Sequence, residues 1–488
     1  LSIRVCQSDF FVTNTRLRMP FRYGIAEATA LPHLFVKLTL EVDGKRVVGL
    51  TSEGLPPKWF RKDPQQTFRD ELGEMLHVIE TACDIASEIG ERDTVFDLWQ
   101  ELYAGQMRWS IEESYPPLLW SLGPALVERA VIDGFCRARG LPFHQAVREN
   151  LLGIRLSEMH VQLGDAQPAD LLPHQPSAHM AVRHTVGLSD PITDADIAAG
   201  ERLDDGLPQS LEASIDAYGL RYFKIKVKAD QAADYSADMA RLRAIAAVLE
   251  AKTAGDYHFT LDGNESFASA DAFAGFCEAL AGDATLAPFC EHMLAIEQPL
   301  HRDVAMSAEA ADVLEDFEFR PIIIDESDAM VSSLPAALEC GYAGVSVKNC
   351  KGVIKGIANG CLIRMLQRDD PDRQYLLTAE DLCNVGPVAL MQDLASAASL
   401  GLTHIERNGH HFLRGLSFLP ESLQRDVVAA HGDLYRMHEG GFATLKIDDG
   451  HLSLASVNAA AYGLGLDLDL SQFTPLDDWT FESLGLPA

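Results

Sequence analysis

The chain opens in a period of two. From Leu34 to Leu40 apolar positions alternate around Phe35, Lys37 and Thr39, and Asp43-Gly44 is a hairpin turn signal before Arg46 to Leu50. The period then lengthens. Leu72, Met75, Leu76 and Ile79 recur at helical spacing within a segment running from about 64 to 89, and a second helix is expected over about 123–138. This first stretch reads as a small α+β unit.

After about residue 180 short β-branched runs alternate with longer amphipathic segments. Strands are expected at 180–186, 222–227, 258–261, 294–296, 322–324, 344–347, 375–377 and 403–405, with helices between them, for example at 232–250, 268–280, 353–366 and 387–400. That rhythm implies a parallel (β/α)₈ barrel or a modified relative of it. Past about residue 430 hairpin texture returns, with 443–447 and 451–454 flanking Asp448 to Gly450, and this tail is expected to pack back onto the first domain. The expected division is an α+β domain over 1–122, a barrel over 123–430 and a returning C-terminal segment over 431–488.

Composition narrows the function. Hydrophobic residues make up 47 % and charged residues 23 % of the 488, an ordinary globular balance that leaves room for a large core. Lys and Arg number 40 against 72 Asp and Glu, a net charge of −32. Such a surface repels phosphate backbones and anionic lipid, so nucleic-acid and membrane partners are not expected. An anionic substrate must be drawn in by local positive charge or by a bound cation. Nine scattered cysteines form no CxxC pair, which fits reduced thiols better than disulfides or a zinc site. The start, Leu1-Ser-Ile-Arg-Val, has no signal-peptide pattern and no apolar run approaches a membrane span, so a cytoplasmic protein is expected.

In a barrel of this kind chemistry sits where strands end. The second expected strand ends in Lys224-Ile225-Lys226, the third in Asp262-Gly263-Asn264, the fourth in Glu297-Gln298-Pro299, the fifth in Asp325-Glu326-Ser327 and the sixth in Lys348-Asn349. Three successive strands thus deliver one carboxylate each, flanked by lysines. Hard anionic oxygens without nearby cysteine suit Mg²⁺, or Mn²⁺, rather than zinc. Lys224 and Lys226 are two apart and share a face. A neighbouring cation and a metal would favour the uncharged amine that Lys226 needs as a general base. Lys348 arrives four strands further round and should face it across the mouth.

These residues resemble the enolase superfamily, in its mandelate racemase and muconate lactonizing branch. Met19-Pro20-Phe21-Arg22-Tyr23-Gly24 and Glu53-Gly54 are similar to that branch's N-terminal capping domain, and Glu128 to Asp133 with Gly140-Leu141-Pro142 to the helix leading into its barrel. The KxK, DxN, EQP, DES and final Lys motifs occur in family order. The resemblance implies a TIM-like (β/α)-barrel under an α+β capping domain built from the N-terminal region and the C-terminal tail. It implies Asp262, Glu297 and Asp325 as Mg²⁺ ligands, Lys226 and Lys348 as acid/base catalysts and Lys224 as an electrostatic helper. The implied chemistry is removal of the α-proton of a small carboxylate substrate to an enediolate. With a lysine on each face the outcome is racemisation or epimerisation; dehydration, β-elimination or cycloisomerisation are the alternatives. A homo-oligomer is the expected assembly.

The sequence departs from named subgroups. At the seventh strand end Thr378-Ala379-Glu380-Asp381 offers no histidine base, and at the eighth His404-Ile405-Glu406 stands where dipeptide epimerases carry Asp-x-Asp. Asn264, Glu406 and His404 are candidate substrate contacts, with Glu380 and Asp381 as further acids, and His410-His411 as either a contact or a polar loop. Arg22, Lys58 and Trp59 lie in segments resembling the capping loops. Two insertions are apparent near 151–179 and 188–206. A Schiff-base aldolase using Lys226 or Lys348, and a barrel that keeps its metal without catalysis, are the remoter readings.

Overall fold

A computed structural model describes residues 2–228, 234–315, 317 and 319–486. Three antiparallel strands, β1 (Ile3–Tyr23), β2 (Ala26–Val42) and β3 (Lys45–Gly54), form the first sheet in that order. The turn between β2 and β3 has two residues, Asp43 and Gly44, with φ of 50° and 74°, the paired left-handed conformation that suits a tight hairpin. Helix Phe68–Ile89 follows, opened by Thr67, whose hydroxyl accepts from the Asp70 amide at 3.2 Å. Helix Leu122–Arg139 lies against β2 and β3. Glycine permits the close approach: a Cβ on Gly49 would sit 1.9 Å from the Ala130 carbonyl oxygen.

Eight parallel strands form the second unit: β4 (His179–Val186), β5 (Tyr222–Lys226), β6 (His258–Asp262), β7 (Met293–Glu297), β8 (Ile322–Ile324), β9 (Gly344–Val347), β10 (Leu376–Ala379) and β11 (His404–Arg407). Ladders join them in the order β10-β9-β8-β7-β6-β5-β4-β11, so the last strand returns to the first and the sheet curls into a barrel. Among the described residues no ladder joins β10 to β11. The Arg407 side chain of β11 spans that seam instead, pairing with Asp381 and donating to the Asn384 carbonyl at 2.7 Å, while Arg183 of β4 donates to the Ala379 carbonyl of β10 at 3.1 Å. The expected strands are all present, the last two ending two residues later than their apolar runs. Helices Ser236–Thr253, Ala270–Gly282, Val353–Asp369 and Ala389–Ser399 stand where helices were expected; Ala232 and Ala233, the expected start of the first, lie outside the described residues.

The tail corrects one expectation. Strands β12 (Tyr435–Met437), β13 (Ala443–Leu445) and β14 (His451–Ser453) do not make a 443–454 hairpin. β13 pairs with β12, while β14 joins the barrel antiparallel to β4, leaving a single bridge between Asp448 and His451. The reason is an open edge: the ladder of β4 with β5 starts only at Arg183, and β14 pairs with His179 to Ala181 on that edge, opposite β11. Further on, β15 (Thr474–Pro475) pairs with β1, Trp479 donates to Asn14 at 2.9 Å, and Arg16 donates to the Leu484 carbonyl at 3.0 Å. The tail therefore returns to the first sheet. The insertion near 188–206 is clamped by Arg18 of β1, which pairs with Asp205 at 2.5 Å and donates to the His411 carbonyl at 2.6 Å. Among the described residues no helix is long and apolar enough to cross a membrane.

Candidate active site

The ends of β5, β6, β9, β10 and β11 surround a small cavity of about 40 Å³. Lys224, Lys226, Asn264, Lys348, Glu380, Asp381 and Glu406 line it from the barrel, and Phe21, Tyr23, Leu31, Pro56 and Trp59 close it from the N-terminal unit. Backbone strain gathers here. Asn264, Glu265, Gln298 and Cys383 all have positive φ, between 33° and 63°, in the turns that leave β6, β7 and β10. Gln298 ties the turn after β7 to the one after β8, accepting from the Asp325 amide at 2.8 Å and donating to Ser327 at 2.8 Å.

Alternation along β5 turns Lys224 and Lys226 inward. Lys224 meets Glu380 at 2.5 Å, Glu297 at 2.7 Å, Asp262 at 3.0 Å and Glu406 at 3.1 Å. Burial opposes its charge, yet these four carboxylates outweigh burial and hold its pKa well above the usual lysine value. Lys226 meets Asp262 at 2.7 Å and donates to Asn264. Lys348 meets Asp325 at 2.5 Å and Glu380 at 2.7 Å, and its ammonium lies 5.0 Å above the Trp59 ring. Burial opposes its charge as well, and Asp325 and Glu380 overcome that penalty.

The acids divide by environment. Burial alone would raise Asp262, but Lys224 and Lys226 hold it far below the carboxylate range; its other oxygen accepts from the Asn264 amide at 2.8 Å. Glu297 is pushed well up by burial and then by Glu380. Glu380 goes the other way, burial being overcome by Lys224, Lys348 and Arg183. Glu326, which accepts from Asn264 at 3.0 Å, is pushed up to about 7 by burial and the adjacent Asp325.

The sequence-derived ligand set was Asp262, Glu297 and Asp325. Among the described residues the group whose oxygens approach one another within 4.8 Å is Glu297, Asp325 and Glu380. Asp262 is instead committed to the two lysines of β5. These residues fit a divalent cation on two counts. Glu297 Oε2 is buried without a hydrogen-bond partner, and carboxylate oxygens of Glu297, Asp325 and Glu380, all buried, converge within 4.8 Å of one another. Oxygen-only donors suit Mg²⁺ or Mn²⁺.

The remaining candidates separate. Glu406 lines the cavity and accepts from Thr185. His404 does not line it: it opens β11, one inward layer deeper, and stacks on Tyr222 at 5.0 Å. His410 and His411 are buried beside His184 behind the strands, outside the cavity lining. Arg22 is exposed and paired with Glu27 at 2.7 Å, and Lys58 is paired with Glu71 at 2.5 Å. Sequence reasoning missed Arg183 and Lys351. Arg183 was legible as the one arginine within the expected strand over 180–186. Lys351 was legible as a lysine one turn past Lys348.

No family model and no curated protein matches the chain. Solved structures do, and the likeness is one of fold, to proteins that include a mandelate racemase/muconate lactonizing protein and a muconate lactonizing enzyme. A mandelate racemase/muconate lactonizing protein from Herpetosiphon aurantiacus superposes with a TM-score of 0.56 at 19 % identity, over 96 % of this chain and 99 % of that one. A dipeptide epimerase from Enterococcus faecalis, solved with Mg and the dipeptide L-Leu-L-Tyr, gives 0.58 at 13 % identity over 95 % and 100 %. An enolase from Bradyrhizobium, solved with magnesium and mandelic acid, gives 0.57 at 14 % identity over 97 % and 98 %.

Proposed function

We propose that the chain is a Mg²⁺-dependent isomerase that removes the α-proton of a small carboxylate and returns a proton to the opposite face, giving racemisation or epimerisation. The observation that carries this reading is the pair Lys226 and Lys348, four strands apart in the sheet and lining one cavity beside the carboxylate cluster. Glu297 and Asp325 would hold the ion, with Glu380 or Asp262 as the third carboxylate. When bound, the cation neutralises the substrate carboxylate and the charge that develops as the proton leaves. One lysine, as the amine, takes the α-proton; the other, as the ammonium, delivers one, so the cycle is balanced in protons. Lys224 offsets the carboxylates around it and keeps the cluster compact. Phe21, Tyr23 and Trp59 exclude water from the reacting carbon. Glu406 faces the part of the substrate beyond its carboxylate and favours a hydroxyl or ammonium there. The roles of 1–122 as the cap, 123–430 as the barrel and 431–488 as the returning segment belong to the same proposal.

The test is α-proton exchange in D₂O, with Mg²⁺, against a library of chiral 2-substituted carboxylic acids. Exchange with inversion supports the isomerase; exchange with loss of a β-substituent makes it a lyase. Borohydride trapping of a substrate on lysine would replace both with a Schiff-base enzyme.

A further inference from the structure

Three residues past Lys348, the turn Asn349–Lys351 carries a second lysine back towards Asp325. Lys351 is 3 % exposed and is absent from the cavity lining, so it cannot reach a substrate there. Its ammonium donates to Asp325 Oδ1 at 2.8 Å, to the Asp325 carbonyl at 2.9 Å and to the Ser346 carbonyl at 2.7 Å. Those three acceptors use all three of its N–H groups. The other carboxylate oxygen, Asp325 Oδ2, points to Lys348 at 2.5 Å, on the cavity side. Asp325 thus has one oxygen tied to the wall of the barrel and one presented to the site. Its amide is fixed as well, by Gln298. Behind Lys351, Asp328 lies 3.7 Å away and is itself held by Lys355 at 3.1 Å.

We infer that Lys351 is a positioning residue for cation binding: it ties Asp325 Oδ1 and the Asp325 main chain to β9, so that Oδ2 alone is offered to the ion. Two lysines three residues apart then do separate work. Lys348 stands in the cavity and exchanges a proton, whereas Lys351 stands outside it and holds a ligand still. Without Lys351, Oδ1 loses its buried donor and the carboxylate is free to turn about its last torsion. The cation must then bear the cost of ordering it. Partners of this kind behind a ligand typically change metal affinity by about 10–100-fold. The inference rests on the placement of the ion at Asp325 proposed above.

Calorimetric titration of Mg²⁺ into wild type, Lys351→Met, Lys351→Gln and Lys355→Met tests it, with circular dichroism to establish folding. Lys355 is an equally buried lysine one helical turn on that touches Asp328 and not Asp325. Both Lys351 variants should bind Mg²⁺ at least tenfold more weakly, while Lys355→Met stays within about twofold of wild type. Once a substrate is known, the Lys351 variants should need more Mg²⁺ for half-maximal rate with kcat at saturating Mg²⁺ little changed. Wild-type affinity in a folded Lys351 variant overturns the inference, as does equal weakening in Lys355→Met. Failure of both Lys351 variants to fold overturns it too, since the lysine would then be a folding element. Absence of Mg²⁺ binding in wild type is a different result, which removes the proposed site itself.

Discussion

Glu128 is a buried acid whose replacement should change the pH dependence of stability. It lies on helix Leu122–Arg139, is 1 % exposed, and accepts from the amide of Val353, the first residue of helix Val353–Asp369. Its second oxygen, Oε2, has no partner. Burial pushes its pKa from 4.5 up to about 8, against the backbone amides of Val353 and Ile354 and the charges of Arg129 and Lys355, which pull it down. Between those two values the unfolded chain has released the proton and the folded chain still holds it. The folded state therefore binds more protons, and stability falls as pH rises through that window. Each unit is worth about 1.4 kcal/mol, so the loss from this group across the window is on the order of 3–5 kcal/mol. Glu128→Gln keeps the acceptor for Val353 and removes the titration. Urea unfolding followed by circular dichroism from pH 5 to pH 8.5 should show the two proteins closest at pH 5, with the variant gaining on wild type as pH rises. A difference that stays constant with pH, or one that moves in favour of wild type, would refute the reasoning.

Three further outcomes are expected. Glu297→Gln should weaken Mg²⁺ binding more than tenfold by calorimetry, since its free oxygen is the one buried acceptor in the cluster with nothing to bind; unchanged affinity removes the ion from this place. Comparing Glu380→Gln with Asp262→Asn in the same titration identifies the third ligand: the converging oxygens predict the larger loss in Glu380→Gln, and the reverse order would return the role to Asp262. Glu406→Gln should shift substrate preference away from acids with a distal hydroxyl or ammonium by about tenfold in kcat/KM, the scale of one charged hydrogen bond; an unchanged preference moves the distal pocket elsewhere.

The barrel was legible because short apolar runs bounded by polar turns are a local signal, and each of the eight fell where a strand stands. The order of lysines and acids at their ends was legible for the same reason, since a side chain at a strand terminus is placed by the strand itself. Pairing was less legible. The 443–454 segment carries a good hairpin signal, yet β14 pairs with β4 because the start of β4 has an open edge, a fact that only the assembled sheet reveals. The third ligand was ambiguous for a related cause. Glu380 reads as one more strand-end acid, and only the closing of the barrel brings it between Lys224 and Lys348 and beside Glu297. His404 misled because β11 continues to Arg407, which puts the histidine at the beginning of the strand and Glu406 at the mouth.

The central claim is that two lysines address one carbon from opposite faces. The direct measurement is deuterium incorporation from D₂O into each enantiomer of a responsive carboxylic acid by Mg²⁺-loaded wild type, Lys226→Ala and Lys348→Ala. Wild type should exchange the α-proton of both enantiomers. Each variant should lose interconversion, and one of them should retain exchange of a single enantiomer, the hand served by the lysine that remains. Exchange of both enantiomers at the wild-type rate by either variant would contradict the two-lysine mechanism.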